Sequence, residues 1–138
     1  LRPTLILQTG AEGDPEVWLE RIVLGDKGET PVERDWQAVR VMNETIPAHL
    51  RITMRLGDDG RASGRSACNR FTSSYELSPE VLRLERPIVT KRGCPTPTMK
   101  LERDFLQALR NVRGWRINGN RLFLTDTTGS AVLEWVDP

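Results

Sequence analysis

The chain has 138 residues, 38% of them hydrophobic and 28% charged, and its formal net charge is +1. That length is enough for one self-sufficient core, and the composition excludes a disordered tail. With 20 basic against 19 acidic residues and a pI near 8.0, the chain lacks the basic excess of a dedicated nucleic-acid binder, and no nucleic acid partner is expected.

Residues 1–34 read as an N-terminal extension. Turn-rich stretches at 10–15 and 25–31 flank one apolar run, 17–24, which is expected to form an added strand. Leu1 opens neither a secretory signal nor a lipidated cysteine, and the apolar runs are too short to cross a bilayer. An exported protein would therefore be present here as a mature or trimmed form, with membrane association only through a lipid anchor that this chain does not carry.

Residues 35–138 read as the main domain. Ile52, Met54 and Leu56 alternate with Arg51, Thr53 and Arg55, and Ala131, Leu133 and Trp135 alternate with Val132 and Glu134. Both are half-buried strands by their period of two. The turn signals Asp58-Asp59-Gly60, Asn118-Gly119 and Thr127-Thr128-Gly129 supply residues that tolerate positive φ, as hairpins require. One helix is predicted over 98–113. Leu101, Phe105, Ala108, Leu109 and Val112 form its apolar stripe, opposite Lys100, Arg103, Asp104, Gln107 and Arg110. Thr98 is the expected N-cap, Glu102 and Asp104 lie towards the positive end of the dipole, and Arg110 and Arg113 precede Gly114. The fold class is α+β: a curved, mainly antiparallel sheet, part of the way to a barrel, with one packed helix.

Cys68 and Cys94 are the most informative residues, because both lie in loop-like segments, 66–75 and 90–98. A disulfide between them would close a loop of about 27 residues and stabilise the fold by roughly 3 to 4 kcal/mol on a chain-entropy model. That reading requires an oxidising compartment. Two unconnected buried thiols are the alternative, since free cysteine behaves as a small hydrophobe.

Catalysis or metal binding comes last. The single histidine, His49, precedes a strand pattern that carries it away from the cysteines, so neither has an obvious base, and His49 reads as a solvated loop residue. A structural zinc site wants four close Cys or His ligands, and only these three exist. No phosphate loop, nucleophile elbow or paired-carboxylate motif stands out. The chain is expected to be non-enzymatic, with no cofactor and no metal. Arg61, Arg65, Arg70, Lys91 and Arg92 cluster in sequence around the cysteine segments and read as solvated charges, with an anion or partner surface as the sharper alternative.

The run Ala67-Cys68-Asn69-Arg70-Phe71-Thr72-Ser73-Ser74-Tyr75 resembles the Gly-Cys-Asn-Arg-Phe-Ser-Gly-Ser-Tyr signature of the META/HslJ family. Thr90 to Cys94 is similar to that family's Thr-x-x-x-Cys segment, and Met99, Glu102, Phe105, Ala108 and Leu109 follow the pattern of its helix. The resemblance extends over about 35–135. At Ala67 and Ser73 the chain departs from two glycines, and Arg92-Gly93 replaces Met-Ala. If those glycines serve a positive φ, this chain needs another backbone route there, with Gly64 and Gly93 offering freedom nearby.

The resemblance implies a non-catalytic domain of the bacterial cell envelope, in the periplasm or on an outer-membrane lipoprotein, linked to stress or antibiotic tolerance. Its motif residues here are Cys68, Asn69, Arg70, Phe71, Tyr75, Thr90 and Cys94. Asn69 reads as a loop organiser whose amide pairs with backbone groups, and Phe71 and Tyr75 as core or rim packing. The expected partner is another envelope protein or a hydrophobic ligand. A second reading is a pilotin-like carrier holding an acyl chain or hydrophobic peptide between sheet and helix, motivated by Trp18, Trp36, Trp115 and Trp135. Core packing of those indoles is the simpler account.

Overall fold

A computed structural model describes residues 29–138; the apolar run 17–24 lies outside them. Pro31–Pro138 form one compact unit. Its strands are β1 (Asp35–Val41), β2 (Glu44–Thr45), β3 (Thr53–Leu56), β4 (Arg61–Arg65), β5 (Arg70–Leu77), β6 (Leu82–Leu84) and β7 (Ile88–Val89). The helix α1 (Thr96–Arg110) follows, then β8 (Gly114–Asn118), β9 (Arg121–Thr125) and β10 (Ala131–Val136).

The strands pair antiparallel in the order β6-β5-β4-β3-β1-β10-β9-β8, with β2 added to β1 and β7 to β5. The sheet curves strongly but does not close. Its two ends meet through the bridge between Val81 and Gly114 and through the Leu82 N–H, which donates to Arg113 O at 3.1 Å.

The alternation read from the sequence sets the two faces. Met54 and Leu56 point inward and are essentially inaccessible, while Arg55 points outward to Asp35 and Glu33 at 2.7 Å each. Hairpins form at the turn signals: Gly60 and Gly129 adopt φ of +84° and +86°, and Gly119 adopts +66°. At the last hairpin the Asp126 carboxylate accepts from the Thr128 hydroxyl and from the Thr128 and Ser130 amides, an Asx-type turn. β3 and β4 approach so closely at Gly64 that a Cβ there would sit 1.9 Å from Thr53 O.

The helix begins at Thr96, two residues before the expected cap, and Thr98 lies inside it. Pro97 is compatible with the first turn because an amide there has no intrahelical acceptor. The cap position is Pro95, whose carbonyl accepts from Thr98 N and Met99 N. The helix stops at Arg110, with Asn111 as C-cap, so Arg113 lies beyond it. Its first turn holds no acidic residue, which removes the dipole role expected for Glu102.

The apolar stripe of α1 packs against β10, β1 and β6. Phe105 touches Phe71 and Trp135 at ring-centroid distances of 5.5 and 5.9 Å, and all three are buried. Burying each such side chain contributes roughly 1.5 to 3 kcal/mol. The space between helix and sheet is thus occupied by side chains of this chain. Trp36 belongs to the same core, its indole N–H donating to Pro31 O at 2.9 Å, and Trp115 is half-buried. Trp18 lies outside the described residues.

Candidate functional site

The link between β4 and β5 is a tight loop, residues 66–69, closed by the Ser66 N–H donating to Asn69 O at 2.7 Å. Ala67 sits in it at φ +86°, a region that favours glycine. The chain keeps the left-handed backbone despite lacking glycine; the alternative route considered from the sequence is not taken. At Ser73, in β5, no positive φ is needed. Its hydroxyl lies 2.7 Å from Glu85 O and 2.9 Å from Ser74 O, carbonyls to which it can donate.

The left-handed turn aims successive amides inward, the geometry by which a backbone concavity binds an anion. Here the anion is internal. Glu102 Oε1 accepts from Cys68 N at 3.0 Å, Asn69 N at 2.8 Å and Ser66 Oγ at 2.8 Å, while Oε2 accepts from Asn69 Nδ2 at 2.8 Å. Glu102 is only 5% exposed. It reaches this position because it shares the inward face of α1 with Phe105 and Leu109, three and seven residues on.

Burial alone would raise the Glu102 pKa. The Asn69 amide, the Ser66 hydroxyl and the two backbone N–H groups outweigh it and hold the carboxyl below its ordinary value.

Asn69 joins this carboxylate to the second cysteine segment. Its Oδ1 accepts from Arg92 N at 2.6 Å and Thr90 Oγ1 at 3.0 Å, and its Nδ2 also donates to Arg92 O at 3.3 Å. All four hydrogen-bonding positions of the amide are used. Thr90 Oγ1 in turn accepts from Arg70 N at 3.1 Å. Cys68 and Cys94 are disulfide-bonded, with Cα atoms 6.1 Å apart. The bond fastens the same two segments that Asn69 bridges.

The residues singled out from the sequence therefore divide by position. Cys68, Asn69, Thr90 and Cys94 converge on one clasp, to which Arg70 contributes its amide. Phe71 is core. Tyr75, on the rim, donates its hydroxyl to Gly57 O in the β3–β4 turn, and burial together with the nearby Asp59 and Glu33 charges raises its pKa. His49 is an exposed loop residue, and Arg61, Arg65, Arg70, Lys91 and Arg92 are all exposed.

Glu102 and Ser66 complete the clasp, and residue chemistry alone had not assigned them to it. The available signal was a carboxylate at helical spacing on an apolar stripe. Chemically the arrangement holds rather than attacks: the sulfurs are bonded to each other, and both Glu102 oxygens carry donors.

These features define an α+β domain of one curved antiparallel sheet and one helix, locked by a buried carboxylate and a disulfide. The chain belongs to the META domain family, whose model matches residues 29–137. It is a bacterial domain of the META type. No curated protein matches it.

Among solved structures, it is similar to a protein from Burkholderia xenovorans determined by NMR, with 24% identity, a TM-score of 0.62, and coverage of 78% of this chain and 83% of that one. A second NMR structure shares 20% identity and a TM-score of 0.60 over 79% of this chain and 95% of the other. A DUF4847 family protein from Bacteroides vulgatus shares 15% identity and a TM-score of 0.52 over 63% and 59%. At these identities the likeness is one of fold.

Proposed function

We propose that this chain is a non-catalytic domain of the bacterial cell envelope, in the periplasm or on an outer-membrane lipoprotein, that maintains or assists other envelope components under stress. The observation that supports this reading is the Cys68–Cys94 disulfide at the centre of the family motif. Disulfides persist in oxidising compartments and are rare where cellular thiols keep cysteine reduced. Within the motif, Asn69 and Thr90 serve the clasp, and the disulfide leaves neither cysteine sulfur as a free thiolate. The domain acts as a rigid platform whose surface, not an internal reaction, carries the function.

The test is fractionation of the native host with thiol alkylation before and after reduction. The expected result is protein in the envelope fraction whose cysteines react only after reductant. Cytoplasmic protein with both thiols freely alkylated would overturn the proposal.

A further inference from the structure

Away from the clasp, the C-terminal end of α1 and β6 with the residues just after it flank an open cleft of about 420 Å³ lined by Arg83, Leu84, Glu85, Arg86, Arg110 and Arg113. Four arginines and one glutamate are among its lining residues, in a chain whose formal net charge is only +1. The neutralisation is incomplete. Arg83 has Glu76 at 3.7 Å, with both side chains more than half exposed, and no ion pair of Arg86, Arg110 or Glu85 occurs among the described residues.

The helix terminus favours cations, which explains one or two arginines but not four. Arg113 NH1 donates to the carbonyls of Arg110 and Val112 at 3.0 and 2.7 Å and so caps the helix end.

The walls are fixed. Arg113 N donates to Thr125 O at 2.7 Å and Arg113 O accepts from Leu82 N at 3.1 Å, so this lining residue is tied to both β9 and β6. Like charges gathered on a rigid frame repel one another, and an anion bound among them removes that repulsion. Guanidinium is also suited to planar, paired donation to phosphate oxygens, where an ammonium would offer only a point charge.

We infer that this arginine cleft is a binding site for a phosphoryl-bearing anion. The cleft is open to solvent, so a phosphoryl group carried on a larger body can also enter it. A soluble phosphorylated metabolite and a phospholipid headgroup present the same chemistry.

The test uses the whole chain in low-salt buffer in two arms. In the first, pyrophosphate is titrated by calorimetry; in the second, sedimentation measures binding to vesicles of phosphatidylglycerol against phosphatidylcholine. Arg86→Gln and Arg110→Gln, both at exposed positions, are made singly, with Arg103→Gln on the exposed side of the helix as control, and thermal melts confirm folding.

Saturable binding in either arm, weakened at least tenfold by Arg86→Gln and by Arg110→Gln but not by Arg103→Gln, supports the site. Pyrophosphate binding alone identifies a soluble ligand, and binding confined to phosphatidylglycerol vesicles identifies the headgroup. No saturable binding in either arm, or binding indifferent to both cleft substitutions, overturns the proposal.

Discussion

Asn69 Nδ2 donates to Glu102 Oε2 at 2.8 Å, and both residues are about 95% buried. With the three donors on Oε1, this contact ties the β4–β5 loop to the helix. Because Asn69 also uses its carbonyl on Thr90 and Arg92, the amide cannot turn round without losing bonds on both sides. Replacing Glu102 by Gln sets one amide against another across this contact. The expected cost is about 2 to 3 kcal/mol, since a charge-assisted bond is lost and a buried donor is left unpaired. Urea unfolding monitored by Trp fluorescence measures it, and a loss below about 0.5 kcal/mol would contradict the clasp.

Asn69→Asp is nearly isosteric and is expected to be worse than Asn69→Ala at neutral pH. It places a second carboxylate against Glu102, where like charges cannot both ionise cheaply. The ranking should reverse as the pH falls and one carboxyl becomes protonated. Paired melts of the two variants across acid and neutral pH would show the crossover.

The depressed Glu102 pKa makes stability pH-dependent in a definite direction. The folded state binds its proton less readily than the unfolded state, so the stabilisation is complete above the ordinary value of 4.5. It is lost as the pH drops below that value and through the lower folded-state pKa. Wild-type protein should therefore lose stability more steeply on acidification than Glu102→Gln. Parallel acid slopes would show that the carboxylate does not contribute as described.

Cutting the disulfide should cost about 3 to 4 kcal/mol for a closed loop of this length. Cys94→Ser is the cleaner variant, because Cys94 is half-buried whereas Cys68 is 4% exposed. The mutant melt should match that of reduced wild type. If reductant leaves the melting temperature of the wild type unchanged, the bond is not the clasp.

At Ala67 the backbone is strained by its positive φ. Ala67→Gly should be neutral or stabilise by up to about 1 kcal/mol, relief of strain being partly offset by a more flexible unfolded chain. Ala67→Val should destabilise by more than about 2 kcal/mol, since a branched Cβ tolerates that conformation least. Denaturation midpoints of the pair check the sign of each.

Much of the fold was legible because it depends on neighbours in sequence. The alternation through Met54 and Leu56, the glycines at 60, 119 and 129, and the stripe through Phe105 and Leu109 each specify a local conformation and the face it buries. The helix start was misplaced because Thr98 is a good cap in isolation, while Pro97 fits equally well within the first turn. The resemblance located the motif and set Glu102 in the helix pattern, yet the contacts that give that residue its mechanical meaning were not part of the reading.

The sequence by itself thus determined the strands through Met54 and Leu133, the hairpin turns, the one helix and the segments that carry the motif. Only the tertiary structure decided that Glu102 is the hub of the clasp and that four arginines share one cleft. The reason is separation along the chain. Glu102 meets amides 33 and 34 residues away, and Arg83 and Arg86 line the same cleft as Arg110 and Arg113. Periodicity reports which way a side chain points, whereas the identity of what it meets is set by how sheet and helix close on each other.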